Sequence, residues 1–175
     1  MHFRTGTPDD AGVIATLHTE SWRSAYAGIM PGSYLDGPLL EERTALWTDR
    51  LGPGRTGSGE DLLLVAEEDG AVQGFVYLAG QPDGRILLDN LHVRPALKRS
   101  GIGRRLMGRA FAWAAECHPG RAVYLEVLKD NAPAIAFYER CGGRPSREFM
   151  ELLPAGFELP VIEYVWTPLA VASWN

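Results

Sequence analysis

The fold is decided by residues 91–105, which read LHVRPALKRSGIGRR. Alternating apolar residues up to Val93 predict a strand, and Pro95 ends it because proline cannot donate to a strand ladder. A short basic loop at residues 98–103 follows, and the chain then turns helical. Apolar residues at steps of four, four, three and four predict one face of this helix, at Ile102, Leu106, Ala110, Trp113 and Cys117.

The charges around the start of this helix are unfavourable for a helix standing alone. Cations near a helix N-terminus oppose the macrodipole by roughly 0.3–1 kcal/mol each. Gly101 and Gly103 let the backbone approach a ligand closely, with N–H groups exposed. The pattern predicts a seat for an anion, and phosphate fits it best; the alternative is a solvated basic turn with ordinary glycines. The basic residues that crowd this point are Lys98, Arg99, Arg104 and Arg105.

Length and composition are those of one globular domain, predicted to span residues 1–175. Hydrophobic residues make up 46% of the chain and charged residues 22%, which is ordinary for such a domain. No run approaches the roughly 20 apolar residues of a membrane span. The start, MHFRTGTPDD, lacks the apolar core of an export signal. We therefore expect a cytoplasmic protein with no membrane partner.

The net charge of −5 argues against a nucleic-acid partner, since proteins that bind nucleic acid non-specifically carry an excess of positive charge. The basic cluster is local and suits a small polyanion. Cys117 and Cys141 have no metal or redox spacing and are predicted to pack as small hydrophobes in helices. The histidines show no ligand spacing either, so we predict no metal site.

The remaining elements predict an α+β fold. Helices are predicted after Thr7, over residues 41–50, from Ile102, and after Asn131, which caps its helix. The expected architecture is a central mixed, twisted sheet of about seven strands flanked by about four helices. Residues 145–175 either close this sheet or pair with a second copy of the chain in a homodimer. Strands are predicted at residues 2–6, 62–66, 72–79, 85–93, 122–128, 145–152 and 161–167.

Residues 52–59, GPGRTGSG, contain a literal G-x-G-x-x-G pattern that we reject as a nucleotide-binding motif. The segment lacks the P-loop lysine, and Pro53 removes an N–H group. It also runs from a helix to a strand, whereas the nucleotide motifs run from a strand to a helix. A nucleotide-binding α/β domain is therefore excluded, and we predict a flexible surface loop here.

The stretch at residues 20–36 is unusually aromatic, with Trp22, Tyr26 and Tyr34 close together. Tyrosine and tryptophan combine an apolar body with a polar tip, which suits a wall that contacts a substrate. Trp22 and Tyr26 are accordingly candidates for substrate binding. The alternative is a buried hinge between two helices.

The order of these motifs resembles the GNAT superfamily of acyl-CoA N-acyltransferases. The likeness is close over about residues 86–143, and the flanking elements agree in order. It implies a GNAT-like fold and acetyl-CoA as cosubstrate. The features that carry the resemblance are the strand with Val93-x-Pro95, the basic loop with Gly101-Ile102-Gly103, the helix, the next strand, Asn131, and the helix with FYERCG at residues 137–142.

The family's Q/R-x-x-G-x-G/A loop falls on residues 98–103. Lys98 stands where glutamine or arginine is usual and Arg99 where glycine is frequent, which leaves open only the exact geometry of the turn. The resemblance implies that backbone N–H groups of about residues 99–104 bind the diphosphate of CoA. The cofactor-binding candidates in this loop are Lys98, Arg99, Ser100, Gly101, Ile102, Gly103 and Arg104.

The resemblance also assigns the preceding strand to the cofactor. Leu91, His92 and Val93 should pair with the pantetheine arm, which is ordinary recognition at a strand edge. A backbone N–H there should polarise the thioester carbonyl. The parallel strands should splay between Val93 and Glu126 to admit the cofactor, and Asn131 should touch it.

Acyl transfer to an amine needs a base for the ammonium and an acid for the leaving thiolate, and such help is worth about 10²–10⁴-fold. By the resemblance Tyr138 is the acid; the alternative is a core aromatic. Glu126 matches the glutamate that serves as the base in ribosomal-protein N-terminal acetyltransferases, and burial would raise its pKa. The alternative is that Glu126 points to solvent and has no catalytic role. Asp89, Glu20, His92 and a water relay stay open as the base, and Asp89 is also a substrate-binding candidate.

We therefore expect an acetyl-CoA-dependent N-acetyltransferase in which a primary amine attacks the thioester directly in a ternary complex. The acidic net charge suits a small cationic amine as acceptor, and a peptide N-terminus is the other candidate. The alternative function is a non-catalytic module that binds or senses acyl-CoA on the same fold. The presence of both Tyr138 and Glu126 argues against that alternative.

Overall fold

The centre of the protein is one mixed β-sheet. The computed structural model describes residues 1–52, 59–153 and 156–174. Neighbouring strands run antiparallel except for one central parallel pair, as the sequence predicted for an α+β fold. The strands are β1 (His2–Thr5), β2 (Asp61–Glu68), β3 (Ala71–Gly80), β4 (Ile86–Val93), β5 (Val123–Leu128), β6 (Arg144–Leu152) and β7 (Glu158–Trp166), and the order across the sheet is β1-β2-β3-β4-β5-β7-β6.

The helices cover both faces of the sheet. Four of them are those that the sequence predicted. The other two, of four and five residues, are too short to show a helical period in the sequence. The helices of the described residues are α1 (Ala11–Ala25), α2 (Gly32–Leu35), α3 (Leu39–Arg50), α4 (Ile102–Cys117), α5 (Ala132–Arg140) and α6 (Pro168–Ala172).

Two predictions concern the location of the protein and the loop between α3 and β2. Within the described ranges no helix is long and apolar enough to cross a membrane. The cytoplasmic location expected from the sequence stays a prediction. The surface loop predicted at residues 52–59 falls almost wholly on residues 53–58, which lie outside the described part of the chain.

Alternation along the central strands divides the core between the two faces. The helix α4 packs on one face through fully buried Leu106, Met107 and Phe111. The helices α1 and α3 pack on the other face, where Trp47 meets Phe75 with ring centroids 5.2 Å apart. Ile102, Leu106 and Ala110 of the apolar stripe read from the sequence are buried, as predicted. The packed face then continues through Phe111 and Ala114, so Trp113 is only half-buried and Cys117 is exposed.

The parallel strands β4 and β5 are paired over only two residue pairs, Ile86 with Val123 and Leu87 with Tyr124. Beyond these pairs β4 and β5 separate, which confirms the predicted splay. The pairing of β3 with β4 slips by one residue at this point, leaving Asp89 as the extra residue of a β-bulge. A bulge bends its strand and increases the local twist, so Asp89 marks the place where β4 turns away from β5.

The C-terminal strands close the sheet within the chain, since β6 pairs along β7 and β7 pairs with β5. The homodimer offered as the other use of this segment stays a prediction. Of the two cysteines, Cys141 is buried at the end of α5, as predicted. Cys117 lies in a helix, as predicted, but its prediction as a packed hydrophobe is wrong, because it is exposed at the last position of α4.

Candidate active site

A cavity of about 1180 Å³ occupies the gap between the splayed strands β4 and β5. The N-terminus of α4 and the helix α5 form one side, and α1 and α3 form another. One cavity thus unites nearly all the site residues predicted from the sequence. Those that line it are Trp22, Tyr26, Asp89, Leu91, His92, Val93, Lys98, Arg99, Gly101, Ile102, Gly103, Arg104, Glu126, Asn131 and Tyr138.

Two predicted residues do not line this cavity. The Ser100 side chain is exposed, and its hydroxyl donates to the Leu97 carbonyl oxygen at 2.7 Å, which tightens the turn. Glu20 is exposed on α1, with its carboxylate 3.6 Å from Arg94. Ser100 therefore serves the loop through its own hydrogen bond, and Glu20 is badly placed to act as a base inside the cavity.

The loop before α4 presents the end of a helix to the cavity. The first amide that bonds within α4 is Arg105 N, which donates to Gly101 O at 3.1 Å. The N–H groups of Ile102 and Gly103 precede it and point out of the helix end. Gly101 has φ of 84° and Arg99 has φ of 70°, so both lie in the left-handed region that favours glycine.

The same loop has room for a bulky anion. Apart from its two chain neighbours, the described part of the protein has no atom within 4 Å of the position that a Cβ on Gly101 would take. Lys98 and Arg99 are exposed and line the cavity beside these amides. Exposed amides, a helix dipole and nearby cations together fit a diphosphate.

The strand β4 offers one free edge to the cavity. On its other edge Leu91 pairs with Val76 and Val93 with Gly74, both on β3. Pairing toward β5 stops at Leu87. The segment from Leu91 to Val93 therefore has the geometry at which an extended ligand can add as a further strand.

Tyr138 lies on α5 and lines the cavity. Burial raises the pKa of its phenol well above the ordinary value, and neighbouring Tyr26 and Cys141 raise it further. The phenol is therefore protonated at neutral pH. A phenol held protonated beside a cleft can give a proton to a leaving group.

Asn131 and Tyr26 hold the end of the cavity next to Tyr138. Asn131 is buried and caps α5, where its side chain accepts from Ala134 N at 3.4 Å. Burial raises the pKa of the nearby Tyr26 hydroxyl, and the Asn131 side chain acts in the opposite direction. Trp22 stands against Tyr26, with ring centroids 5.0 Å apart and ring planes at 89°. The aromatic stretch of the sequence is thus both a packed corner and a wall of the cavity.

Glu126 lies on β5 and faces the cavity with a partly exposed side chain. Burial raises the pKa of its carboxyl, and the charge of Glu151 raises it further. Arg147, whose Nη2 lies 3.5 Å from Glu126 Oε1, acts in the opposite direction. A carboxylate with a raised pKa is better suited to accept a proton from an ammonium than an ordinary one.

The other two candidate bases inside the cavity are less suited to that role. Asp89 pairs with Arg50 at 2.5 Å and accepts a hydrogen bond from Asn90 at 2.8 Å. His92 shares a hydrogen bond with Ser21 Oγ at 2.9 Å. Burial lowers the pKa of His92 to about 3, helped by the positive charge of Arg43. His92 is therefore neutral at pH 7 and holds a transferred proton poorly.

The cavity residues missed from the sequence include His18 on α1, and Arg43 and Arg50 on α3. Arg43 and Arg50 are seven residues apart on one helix, which places them on one face. That spacing was the available signal, but nothing local shows that this face of α3 meets α1 beside the cavity.

Among the described residues no group of three or more histidine, cysteine, aspartate or glutamate side chains is placed to hold a metal ion. The polar groups of the cavity are instead amides, guanidinium groups, carboxylates and a phenol. Such groups can bind an anion and transfer protons.

Comparison with known proteins agrees with this geometry. The family model described as Acetyltransferase (GNAT) family matches residues 19–143. A relative from Mycobacterium tuberculosis, named a probable N-acetyltransferase, is 29% identical over 143 residues, which cover 80% of this chain and 78% of that protein. A peptidyl-lysine N-acetyltransferase of Escherichia coli is 40% identical over 78 residues, 45% of this chain and 47% of that protein.

Solved structures share the fold. The PaiA N-acetyltransferase from Thermoplasma acidophilum, crystallised in complex with coenzyme A, superposes with a TM-score of 0.74 at 21% identity. The superposition covers 94% of this chain and 98% of that one. The family model spans well over half of the sequence, and the chain therefore belongs to the acetyltransferase (GNAT) family.

Proposed function

We propose that this protein transfers an acetyl group from acetyl-CoA to a primary amine of a small molecule or peptide, by direct attack in a ternary complex. One observation carries the proposal: a single cavity joins the helix end of α4, the free edge of β4, Tyr138 and Glu126. The PaiA structure was solved with coenzyme A, and the Escherichia coli relative is named for peptidyl-lysine. These names support the cosubstrate and the class of acceptor.

The residues present fit coenzyme A. The amides of Ile102 and Gly103 face outward at the start of α4, next to the open space at Gly101. They would hold the diphosphate, with Lys98 and Arg99 supplying positive charge. The edge of β4 would hold the pantetheine arm by main-chain hydrogen bonds.

Acetyl-CoA supplies an acetyl group that is activated as a thioester. Glu126 accepts the proton that the acceptor's ammonium must lose before its nitrogen can attack, because its raised pKa brings it nearer to working pH. Tyr138 donates a proton to the departing sulfur and is itself protonated at that stage. A backbone N–H on the edge of β4 stabilises the charge that develops on the carbonyl oxygen.

The test is release of free CoA thiol from acetyl-CoA with a panel of amines: amino acids, polyamines, aminoglycosides and short peptides. We expect at least one acceptor to release thiol at a rate that depends on both substrates, with the acetylated amine visible by mass spectrometry. Absence of turnover with every amine and peptide, in protein that binds acetyl-CoA, would contradict the proposal.

A further inference from the structure

Unpaired hydrogen-bond donors gather on one wall of the cavity. Among the described residues, buried side-chain atoms without a hydrogen-bond partner are few, and three of the four line this cavity. They are His18 Nε2, Arg43 Nε and Arg50 Nη1. Buried polar groups are normally paired, because an unpaired one costs about 1–3 kcal/mol. Three unpaired polar atoms on one wall indicate that these groups bind a ligand.

All three atoms are donors. The guanidinium nitrogens of Arg43 and Arg50 can only donate. His18 Nδ1 accepts a hydrogen bond from Trp47 Nε1 at 3.0 Å, and an indole N–H cannot accept in return. Burial holds the pKa of His18 well below its ordinary value, so the ring is neutral and its proton lies on Nε2. The wall formed by α1 and α3 is therefore complementary to an acceptor-rich group.

Arg43 also lacks a negative partner. Its guanidinium stacks over the Trp22 ring at 4.1 Å and its Nη2 donates to the Tyr34 hydroxyl at 3.2 Å. No carboxylate of the described residues forms an ion pair with it. Arg50 Nη2 pairs with Asp89, and Arg50 Nη1 has no hydrogen-bond partner among the described residues. A half-buried guanidinium held flat by an aromatic ring, without a counter-ion, is well arranged to take a carboxylate in two parallel hydrogen bonds.

Two carboxylates line the cavity on strands other than the helices that carry these donors. Glu126 on β5 and Glu151 on β6 both line the cavity, close enough that Glu151 acts on the pKa of Glu126. The cavity thus has donors on one side and carboxylates on another. A ligand with one cationic and one anionic end matches both.

Resting on the proposed acetyl transfer, we infer that the acceptor is a small amine that also carries a carboxylate, as amino acids do. Arg43 and His18 receive the carboxylate, and the ammonium faces Glu126. This inference departs from the small cationic amine that the net charge favours. A purely cationic amine would leave the donors of α1 and α3 unpaired and would meet Arg43 with like charge.

The test compares matched acceptors. The twenty common amino acids are assayed for CoA thiol release, and the best one is compared with its carboxamide and with the amine left by removal of its carboxyl group. We expect kcat/KM for the amino acid to exceed that for either analogue by at least about tenfold, since discrimination by a charged hydrogen-bonding site is of this order or larger. A preference for either analogue would overturn the inference.

The matched variants are Arg43→Met and Arg109→Met. Methionine keeps an apolar stem against Trp22 and removes the charge. Arg109 is exposed on α4, stacks on Phe3 and lies outside the cavity, so its variant makes the same change in net charge. Arg43→Met should bring the ratio of kcat/KM between amino acid and carboxamide to within about twofold of one, whereas Arg109→Met should keep it. Arg43→Lys, which retains the charge, should recover part of the preference.

A binding measurement separates this inference from the proposed function. Calorimetry of the amino acid with protein saturated in CoA should give binding that Arg43→Met weakens at least about tenfold. Thermal unfolding of each variant checks that it is folded. If amines are acetylated with no preference for a carboxylate, the inference fails alone. If no amine is acetylated although acetyl-CoA binds, the proposed function fails.

Discussion

Replacing Tyr138 by phenylalanine is the sharpest test of the chemistry, because it removes one oxygen and little else. The ring of Tyr138 contacts Phe137 and Trp166, with centroid distances of 5.4 and 6.2 Å, and phenylalanine keeps both contacts. The described residues give the hydroxyl no hydrogen bond to lose. Tyr138→Phe should therefore fold as the wild type does, within about 1 kcal/mol of its stability.

The expected effect is on turnover. A positioned general acid is worth about 10²–10⁴-fold, which corresponds to about 2.7–5.4 kcal/mol of activation free energy. We expect kcat to fall by a factor in this range, while the Kd for acetyl-CoA from calorimetry changes less than about threefold. The assay is thiol release at saturating acetyl-CoA, with Tyr124→Phe as control. Tyr124 is a buried tyrosine on β5 that stacks on Arg85 outside the cavity.

The raised pKa of Tyr138 also predicts the pH dependence of turnover in the wild type. Since its phenol keeps its proton beyond the ordinary tyrosine range, loss of this acid should not depress wild-type kcat below about pH 10. A variant that turns over within threefold of the wild type would refute the assignment of Tyr138 as the acid. A protein that only senses acyl-CoA would show no turnover in either form.

Two further predictions concern carboxylates. Burial, and then the charge of Glu151, raise the pKa of Glu126, so kcat/KM should fall as pH falls through that raised pKa. Glu126→Gln should abolish this acid limb of the pH profile and lower kcat/KM about 10²-fold. Asp10 has a lowered pKa, because Arg4 binds its carboxylate through two hydrogen bonds of 2.8 Å. The stability that this pair contributes is therefore complete above the pKa of Asp10 in the unfolded chain, about 3.9, and is lost as pH falls through its lower pKa in the folded protein. Asp10→Asn should reduce the free energy of unfolding by about 1–3 kcal/mol at pH 7, measured by urea denaturation.

Each of these predictions has a neighbouring control. Glu148→Gln changes the same side chain on β6, where it pairs with Lys129 outside the cavity, and should keep the acid limb. Asp9→Asn changes an exposed carboxylate next to Asp10 and should leave stability nearly unchanged. An unaltered pH profile in Glu126→Gln would show that another group acts as the base. Equal stability of the two aspartate variants would show that the pair with Arg4 contributes nothing.

Local features of the chain were predictable because they follow from short-range rules. The end of β4 at Pro95, the glycines before α4 and the cap at Asn131 each act on their own few residues, and all lie where predicted. Membership of the GNAT family, read from the same motifs, is confirmed. The roles of Tyr138 and Glu126 stay predictions, although both line the cavity.

The features that escaped prediction depend on distant pairing. The bulge at Asp89 arises from the register between β3 and β4, and no residue type signals it. Arg43 reaches the cavity because α3 packs against α1, and this contact joins segments that are separate in sequence. Glu20 looked like a possible base from its position in an aromatic stretch, but the helix turns it outward to Arg94. The cationic acceptor favoured by the net charge stays a prediction; net charge averages over the surface and does not describe one wall of a cavity.

The central claim is that the loop before α4 holds the diphosphate of acetyl-CoA, and calorimetry of acetyl-CoA with Gly101→Glu tests it most directly. Gly120→Glu is the matched control, because Gly120 has φ of 81° and open space around it, as Gly101 has, but lies outside the cavity. We predict one acetyl-CoA bound per wild-type chain, at least about tenfold weaker binding by Gly101→Glu, and wild-type affinity in Gly120→Glu. An unchanged affinity in folded Gly101→Glu, or no binding heat with the wild type, would contradict the account.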